Sequence, residues 1–158
     1  MPVIAMTAEM GSLREEIAEE VAKTLNLTVM RDEVVEHVAE RMHIHRSLIN
    51  KMRVGKAGYF ERRGTDEKSI EVYTAEEIFT LAHSGNVILI GWGAAYMLRT
   101  IPHVVCVRVC RPLEQRVAWL MRELDTDDEE FARREIERSD SAKAASIRER
   151  FGATWGDP

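Results

Sequence analysis

The chain has 158 residues, of which 45% are hydrophobic and 31% charged, and its formal net charge is −5. This length predicts one domain, and the composition is typical of a globular protein that folds without a metal or a disulfide. The acidic balance argues against a nucleic-acid-binding surface. The sequence contains no apolar run near the roughly 20 residues of a membrane-spanning helix, and no signal-peptide pattern. We therefore expect one cytoplasmic domain over residues 1–158, without membrane or nucleic-acid partners.

Short apolar runs alternate along the chain with segments of helical periodicity, a pattern that predicts βαβ units around a parallel sheet. The predicted strands are, in chain order, 3–6, 27–30, 86–90 and 103–110. The predicted helices are 13–25, 31–43, 47–54, 74–84, 94–99 and 113–124, with a long charged helix from 126 to about 150. Capping boxes at 74–77 and 126–129 predict two of the helix starts. The glycine-containing, charged stretch 55–72 is predicted to be a mobile connection.

The ends of the predicted strands indicate where a ligand would bind, because open parallel sheets bind ligands beyond the carboxyl ends of their strands. Residues 7–14 lie there, between a strand and a helix N-terminus, where free N–H groups and the helix dipole favour an anion. The full phosphate-loop pattern of two glycines and a lysine is absent, since Gly11 is the only glycine in the stretch. From the residues alone, an anion site and an ordinary turn both stay open.

A family resemblance favours the anion site. The matching residues of the first motif, which runs roughly S-R-E-x-G-S-G-G-[KR]-E-I-A in cytidylate kinase-like proteins, are Glu9, Gly11, Ser12, Glu16, Ile17 and Ala18. The block 86–99 resembles the family's N-V-V-I-x-G-R-G-A-x-x-x-L-R. Residues 31–33, 103–114 and 135–158 resemble further blocks, so the resemblance spans essentially the whole chain in order.

The resemblance implies a three-layer α/β fold of the P-loop NTPase type. A parallel sheet would be flanked by helices, with a helical lid over about 126–150. It also implies transfer of the γ-phosphoryl group of ATP, with Mg²⁺, to a nucleoside monophosphate such as CMP. Family members continue beyond the final Asp-Pro into a further strand. We therefore expect the last strand to be missing, leaving a sheet edge through which a second copy could pair.

Departures from the family motif keep a second function open. Leu13 and Arg14 replace two glycines, and the Cβ of Leu13 would hinder close approach of a phosphate. Arg14 falls where ordinary P-loop kinases carry lysine, and Glu15 falls where a hydroxyl would bind Mg²⁺. The alternative is a non-catalytic module of the same fold that binds a nucleotide, another anion or a partner protein.

The resemblance assigns candidate residues to the nucleotide donor and to the lid. The donor phosphates are predicted to bind Glu9, Met10, Gly11, Ser12, Leu13 and Arg14. Arg14, together with Arg134 and Arg138 of the lid, is predicted to neutralise the transferring phosphoryl group. For the lid arginines, a solvated helix face with pairs such as Glu130–Arg134 stays open as the alternative.

The acceptor nucleotide is predicted to face Asp32, Trp92, Gly93 and Asp140. Helix capping for Asp32 and ordinary packing for Trp92 are the alternatives. No protein-built metal site is predicted, because His43 and His45 lack carboxylate or cysteine partners at ligand spacing.

Overall fold

A four-stranded parallel sheet forms the centre of the computed structural model, which describes residues 1–53 and 67–156. Its strands are β1 (Val3–Ala8), β2 (Thr28–Met30), β3 (Val87–Ile90) and β4 (Val104–Val109), in the order β2-β3-β1-β4. β1 is central, and its first residue, Val3, pairs with Val87 of β3 and with Val104 of β4. The predicted α/β fold with a parallel sheet is confirmed, and β4 forms one edge of this sheet. Pairing of that edge with a second copy stays a prediction.

Seven helices surround the sheet in the described part of the chain. They are α1 (Arg14–Leu25), α2 (Glu33–Met42), α3 (Arg46–Arg53), α4 (Glu67–Ser84), α5 (Ala94–Met97), α6 (Leu113–Glu123) and α7 (Glu129–Phe151). Residues 67–72 of the predicted connection are helical. The rest of that connection from 55 to 66 and the Asp-Pro at 157–158 lie outside the described residues. None of the helices in the described ranges is long and apolar enough to cross a membrane.

Both predicted capping boxes were misplaced. Thr74 lies inside α4, where its hydroxyl donates to the carbonyl of Ile70 at 2.6 Å, so it caps nothing. The N-cap of α7 is Asp128, whose carboxylate accepts the N–H of Phe131 at 2.8 Å. A threonine followed by a glutamate three residues later is a short pattern that also occurs inside helices and before them.

The sheet separates two apolar layers because successive strand residues point to opposite faces. On one face, Val3, Ala5, Val87 and Leu89 pack against α2 and α4. On the other face, residues that include Met6, Ile88 and Ile90 pack against Ala18 and Ala22 of α1. α1 therefore faces the sheet with alanines, which permit close approach. Ile17 and Leu25 of the same helix are turned outward, and these side chains are 39% and 52% exposed.

The carboxyl ends of β1, β3 and β4 bring three loops together. The N–H of Glu9 donates to the carbonyl of Val109 at 3.2 Å, and the N–H of Gly91 donates to that of Met6 at 3.1 Å. Residues 9–13, 91–93 and 110–112 therefore lie at one edge of the sheet, and the first of these loops falls within the stretch 7–14 that the sequence analysis singled out.

We expect Gly93→Ala to lower the free energy of unfolding by about 2–4 kcal/mol, measured by denaturant titration. Gly93 has φ 77°, and a Cβ there would overlap the ring of Phe151. Gly91 is a matched control, because its φ is 79° and no atom lies within 4 Å of the position that a Cβ would take there. Gly91→Ala should cost only the left-handed strain of about 1–2 kcal/mol. Equal losses in the two variants would contradict the packing of α7 against this loop.

Candidate phosphate-binding site

The loop between β1 and α1 has the backbone conformation of an anion-binding turn. Gly11 and Leu13 are both left-handed, with φ values of 77° and 60°. Gly11 packs tightly, since a Cβ there would lie 2.9 Å from Cε3 of Trp119 and 3.3 Å from Cβ of Arg116. The hydroxyl of Ser12 donates to the carbonyl of Glu9 at 2.8 Å and closes the turn. Alternating left-handed residues before a helix direct backbone N–H groups into a concave surface.

Leu13 is the N-cap residue of α1, and no side chain caps this helix end. The first N–H groups of a helix have no partner within the helix, so those of α1 are available to an anion. A left-handed leucine costs about 1–2 kcal/mol relative to glycine.

A cavity of about 380 Å³ opens beside the loop. Its lining consists of the loop, the first turn of α1 and three side chains from α6 and α7, namely Trp119, Glu123 and Lys143. Four carboxylates and two cations contribute to this lining: Glu9, Glu15, Glu16, Glu123, Arg14 and Lys143. All six residues predicted for the donor phosphates, Glu9 to Arg14, are therefore brought together at the cavity.

The carboxylate of Glu9 is held by groups that come from β4 and from the residues after it. Its Oε1 accepts from Nη2 of Arg108 at 3.2 Å, and its Oε2 accepts from the N–H of Arg111 at 3.2 Å. Nε of Arg116 lies 3.6 Å from the same Oε2. Glu9 is therefore a positioning residue, which fixes the loop against β4 and α6.

Arg116 ties the loop to the lid helix α7. It is buried, and its Nη1 donates to Oδ2 of Asp140 at 2.6 Å and contacts the carbonyl of Met10 at 3.4 Å. Oδ1 of Asp140 accepts the N–H of Met10 at 3.4 Å. Asp140, predicted beside the acceptor, is thus placed at the donor loop. Sequence reasoning missed Arg116, although an arginine within the apolar stripe of Leu113, Val117 and Leu120 was a usable signal.

Two cations reach the cavity, and both have partners. Arg14 pairs with Glu15, its Nε lying 3.0 Å from Oε1. Partial burial acts to raise the pKa of Glu15, but the hydrogen bond and charge of Arg14 lower it. Nζ of Lys143 lies 3.4 Å from the carbonyl of Ala8 and 5.8 Å from the ring centre of Trp155. Burial lowers the pKa of Lys143, and the carboxylate of Asp140 acts in the opposite direction.

The predicted lid arginines are not brought to the cavity. Arg134 pairs with Glu130 at 2.7 Å, and Arg138 pairs with Glu135 at 3.3 Å, with side chains 60% and 73% exposed. Lys143 is the residue of α7 that lines the cavity. Lys143 lies about two and a half helical turns beyond Arg134, so sequence order alone did not single it out.

The remaining predicted acceptor residues lie at the ends of β2 and β3. The indole N–H of Trp92 donates to the carbonyl of Arg31 at 2.9 Å, and its ring packs against two apolar clusters. Asp32 precedes α2 and is exposed, without a side-chain cap hydrogen bond. Trp92 therefore ties the loop after β3, which includes Gly93, to the segment that contains Asp32. These three residues are not among those that line the cavity.

No group of three or more His, Cys, Asp or Glu side chains in the described ranges is arranged to hold a metal ion. The hydroxyl of Ser12 is buried and engaged with Glu9.

Comparisons with known proteins agree with this geometry. The sequence profile of the cytidylate kinase-like family matches residues 3–158. A search of curated proteins found no significant match. Among solved structures, the chain is similar to an uncharacterized protein from Eubacterium ventriosum, with TM-score 0.72 and 16% identity over 99% of this chain and 82% of that one. It is also similar to a shikimate kinase from Bacteroides thetaiotaomicron, with TM-score 0.53 and 16% identity over 95% and 80%. At these identities the solved structures show the fold, which is that of P-loop kinases.

We expect Asp140→Asn to lower the free energy of unfolding by about 2–4 kcal/mol, because it leaves the charge of buried Arg116 without its closest partner. Glu130→Gln breaks an exposed ion pair on the same helix and should cost no more than about 0.5 kcal/mol. Denaturant unfolding of the two variants measures the difference. Similar, small losses would show that the contact between α7 and the loop contributes little.

Proposed function

This chain belongs to the cytidylate kinase-like family, and we propose that it binds a nucleoside triphosphate on its Glu9–Arg14 loop and transfers the terminal phosphoryl group to a nucleoside monophosphate such as CMP. The observation that carries the proposal is the loop itself. It is left-handed at Gly11 and Leu13 and precedes a helix N-terminus without a side-chain cap, beside a cavity of about 380 Å³.

The donor phosphates would bind to backbone N–H groups at the start of α1 and to two side chains. Lys143 supplies positive charge from the lid, and a phosphate beside it would favour its charged form. Arg14 would exchange its pair with Glu15 for a phosphate oxygen. Phosphoryl transfer needs positioning and charge neutralisation rather than a nucleophilic side chain, so these groups suffice for the chemistry.

The charges of the cavity favour a nucleotide that carries Mg²⁺. Four carboxylates line the cavity against two cations, and they would repel a bare triphosphate. A divalent cation bound to the phosphates removes that repulsion and accepts carboxylate or water oxygens as ligands. Glu15 and Glu16, in the first turn of α1, are the carboxylates suited to this contact. When bound, Mg²⁺ would neutralise charge that develops on the transferring phosphoryl group.

The acceptor would bind toward Asp32, Trp92 and Gly93, at the carboxyl ends of β2 and β3. Asp32 is exposed, so its carboxylate is available to a ribose hydroxyl or to an amino group of the base. Arg134 and Arg138 would contribute only if they left Glu130 and Glu135. We therefore assign the lid cation to Lys143.

Two observations favour a second candidate, in which the chain binds a nucleotide without turnover. Arg14 is paired with Glu15, and the position that precedes it carries the left-handed Leu13 in place of glycine. Both features weaken the contact between loop and phosphate that a kinase tightens in the transition state.

Turnover is measured by incubating the protein with Mg-ATP and CMP, dCMP, UMP or AMP and quantifying the diphosphate products. We expect acceptor-dependent product, with kcat/KM reduced roughly 100-fold or more in Lys143→Met because a cation beside the transferring group is lost. Arg134→Met, an exposed lid cation on the same helix, is the control and should leave the rate unchanged. Nucleotide binding without product for any acceptor would establish the second candidate instead.

Leu13→Gly should tighten the binding of Mg-ADP several-fold, because it removes a Cβ that hinders the approach of phosphate to the helix N-terminus. Leu13→Ala shortens the side chain but keeps the Cβ, so it should leave affinity close to that of the unchanged chain. Titration calorimetry gives the two affinities. If alanine and glycine act alike, the backbone at residue 13 does not limit the approach of phosphate.

A further inference from the structure

The chain after α7 turns back toward the middle of that helix and brings Trp155 beside the lid cation. α7 ends at Phe151, and Gly152, with φ 60°, donates its N–H to the carbonyl of Arg148 at 3.0 Å. Lys143 lies about 12 Å before the end of α7 along the helix axis. Four residues can span that distance, so after the turn the ring centre of Trp155 lies 5.8 Å from Nζ of Lys143.

The backbone of Trp155 is fixed by α5 and β4. Its carbonyl accepts from the hydroxyl of Tyr96 at 2.7 Å and from Nη1 of Arg108. The ring of Tyr96 in turn stacks on that of Phe151, with 5.7 Å between the ring centres. The residue as a whole is buried, with 9% of its surface exposed. Because the hydrogen-bonding group is the backbone carbonyl, any residue at position 155 can keep both bonds.

The indole ring of Trp155 contacts two cations, and each of them reaches the start of the phosphate loop. Cζ of Arg108 lies 4.1 Å from the ring centre, and its Nη2 donates to Oε1 of Glu9 at 3.2 Å. Nζ of Lys143 lies within the roughly 6 Å of a cation–π interaction and 3.4 Å from the carbonyl of Ala8. The negative face of the ring attracts both cations and therefore restricts where their charged ends can lie.

Lys143 needs such a restraint, because a lysine ammonium group sits on a flexible four-carbon stem. Its hydrogen bond to the carbonyl of Ala8 is long, at 3.4 Å, and its side chain is half-buried. A cation stabilises a transferring phosphoryl group most when it is already in place before the reaction. The ring of Trp155 is suited to hold it there.

We propose that Trp155 is a positioning residue for the phosphate site, whose ring holds Lys143 at the cavity and Arg108 on Glu9. The inference rests on the proposed function, because Lys143 is the lid cation that the proposed function assigns to the phosphates. Trp155 is not among the residues that line the cavity, so it would act on a nucleotide only through the two cations.

Two substitutions separate the aromatic face of residue 155 from its bulk. Trp155→Leu removes the face and should lower kcat with Mg-ATP and CMP about tenfold. KM for CMP should stay within about twofold, because the predicted acceptor residues Asp32 and Trp92 are unchanged. Trp155→Phe keeps an aromatic face and should retain kcat within about threefold of the unchanged chain. Equal losses of kcat in the two variants would overturn the proposal.

A double-mutant cycle with Lys143→Met shows whether Trp155 acts through the lid cation. If it does, Trp155→Leu should lower kcat about tenfold when Lys143 is present and no more than about threefold in Lys143→Met. A side chain that only stabilises the fold would cost the same factor in both backgrounds. Equal factors would therefore overturn the proposal.

If Trp155→Leu does not fold, fluorinated tryptophan introduced at position 155 takes its place, because fluorine weakens the negative face of the ring and nearly keeps its shape. We expect kcat to fall about twofold with each added fluorine. A kcat that stays constant along the fluorine series would overturn the proposal.

Affinity for Mg-ADP, measured by titration calorimetry on the full chain, separates failure of this inference from failure of the proposed function. If Mg-ADP binds but no acceptor yields product, transfer is overturned, and affinity replaces kcat in the same comparisons with the same expected factors. Equal affinities of the unchanged chain, Trp155→Leu and Trp155→Phe would then overturn the positioning role alone. Failure of Mg-ADP to bind the unchanged chain would overturn both.

Discussion

The carboxylate of Glu9 binds three groups from other parts of the chain, and the conformation of the loop depends on them. Arg108, the N–H of Arg111 and Arg116 hold its two oxygens, while Asp140 neutralises Arg116 from the lid helix. Because charges with so little access to water are costly unless paired, the four side chains stabilise one another only when β1, β4, α6 and α7 are all in place. The loop, the sheet edge and the lid are therefore one structural unit.

This arrangement divides the charged groups around the loop into those that hold it and those that face the cavity. Glu9, Arg108, Arg116 and Asp140 pair with one another and position the backbone, and of these four only Glu9 also lines the cavity. The first N–H groups of α1, Lys143 and the first-turn glutamates face the cavity instead. With Leu13 and Arg14 at two positions where the family motif has glycine, the loop keeps its left-handed turn at Gly11 and Leu13 before α1.

Sequence reasoning predicted the fold better than the site. The strands and most helices followed from apolar runs and helical periods, and the strand ends located the cavity. The lid contacts were missed because a helix of 23 residues with charges on every side does not reveal which cation faces inward. Arg134 and Arg138 point to solvent, whereas Lys143 reaches the loop, and only the packing of α7 against α6 decides this. Arg116 and Trp119 likewise pack against the loop because Gly11 permits α6 to approach it closely.

Backbone amide resonances of the isotope-labelled chain, recorded during titration with Mg-ADP, report most directly on whether nucleotide phosphates bind the loop. If phosphates bind there, the amide signals of residues 11–14 shift most strongly and saturate together, because those N–H groups donate to phosphate oxygens. These amide shifts should saturate at the same Mg-ADP concentration as any shift of the Lys143 amide signal. Saturable shifts confined to other parts of the chain, with residues 9–14 unchanged, would contradict the assignment of this loop as the phosphate site.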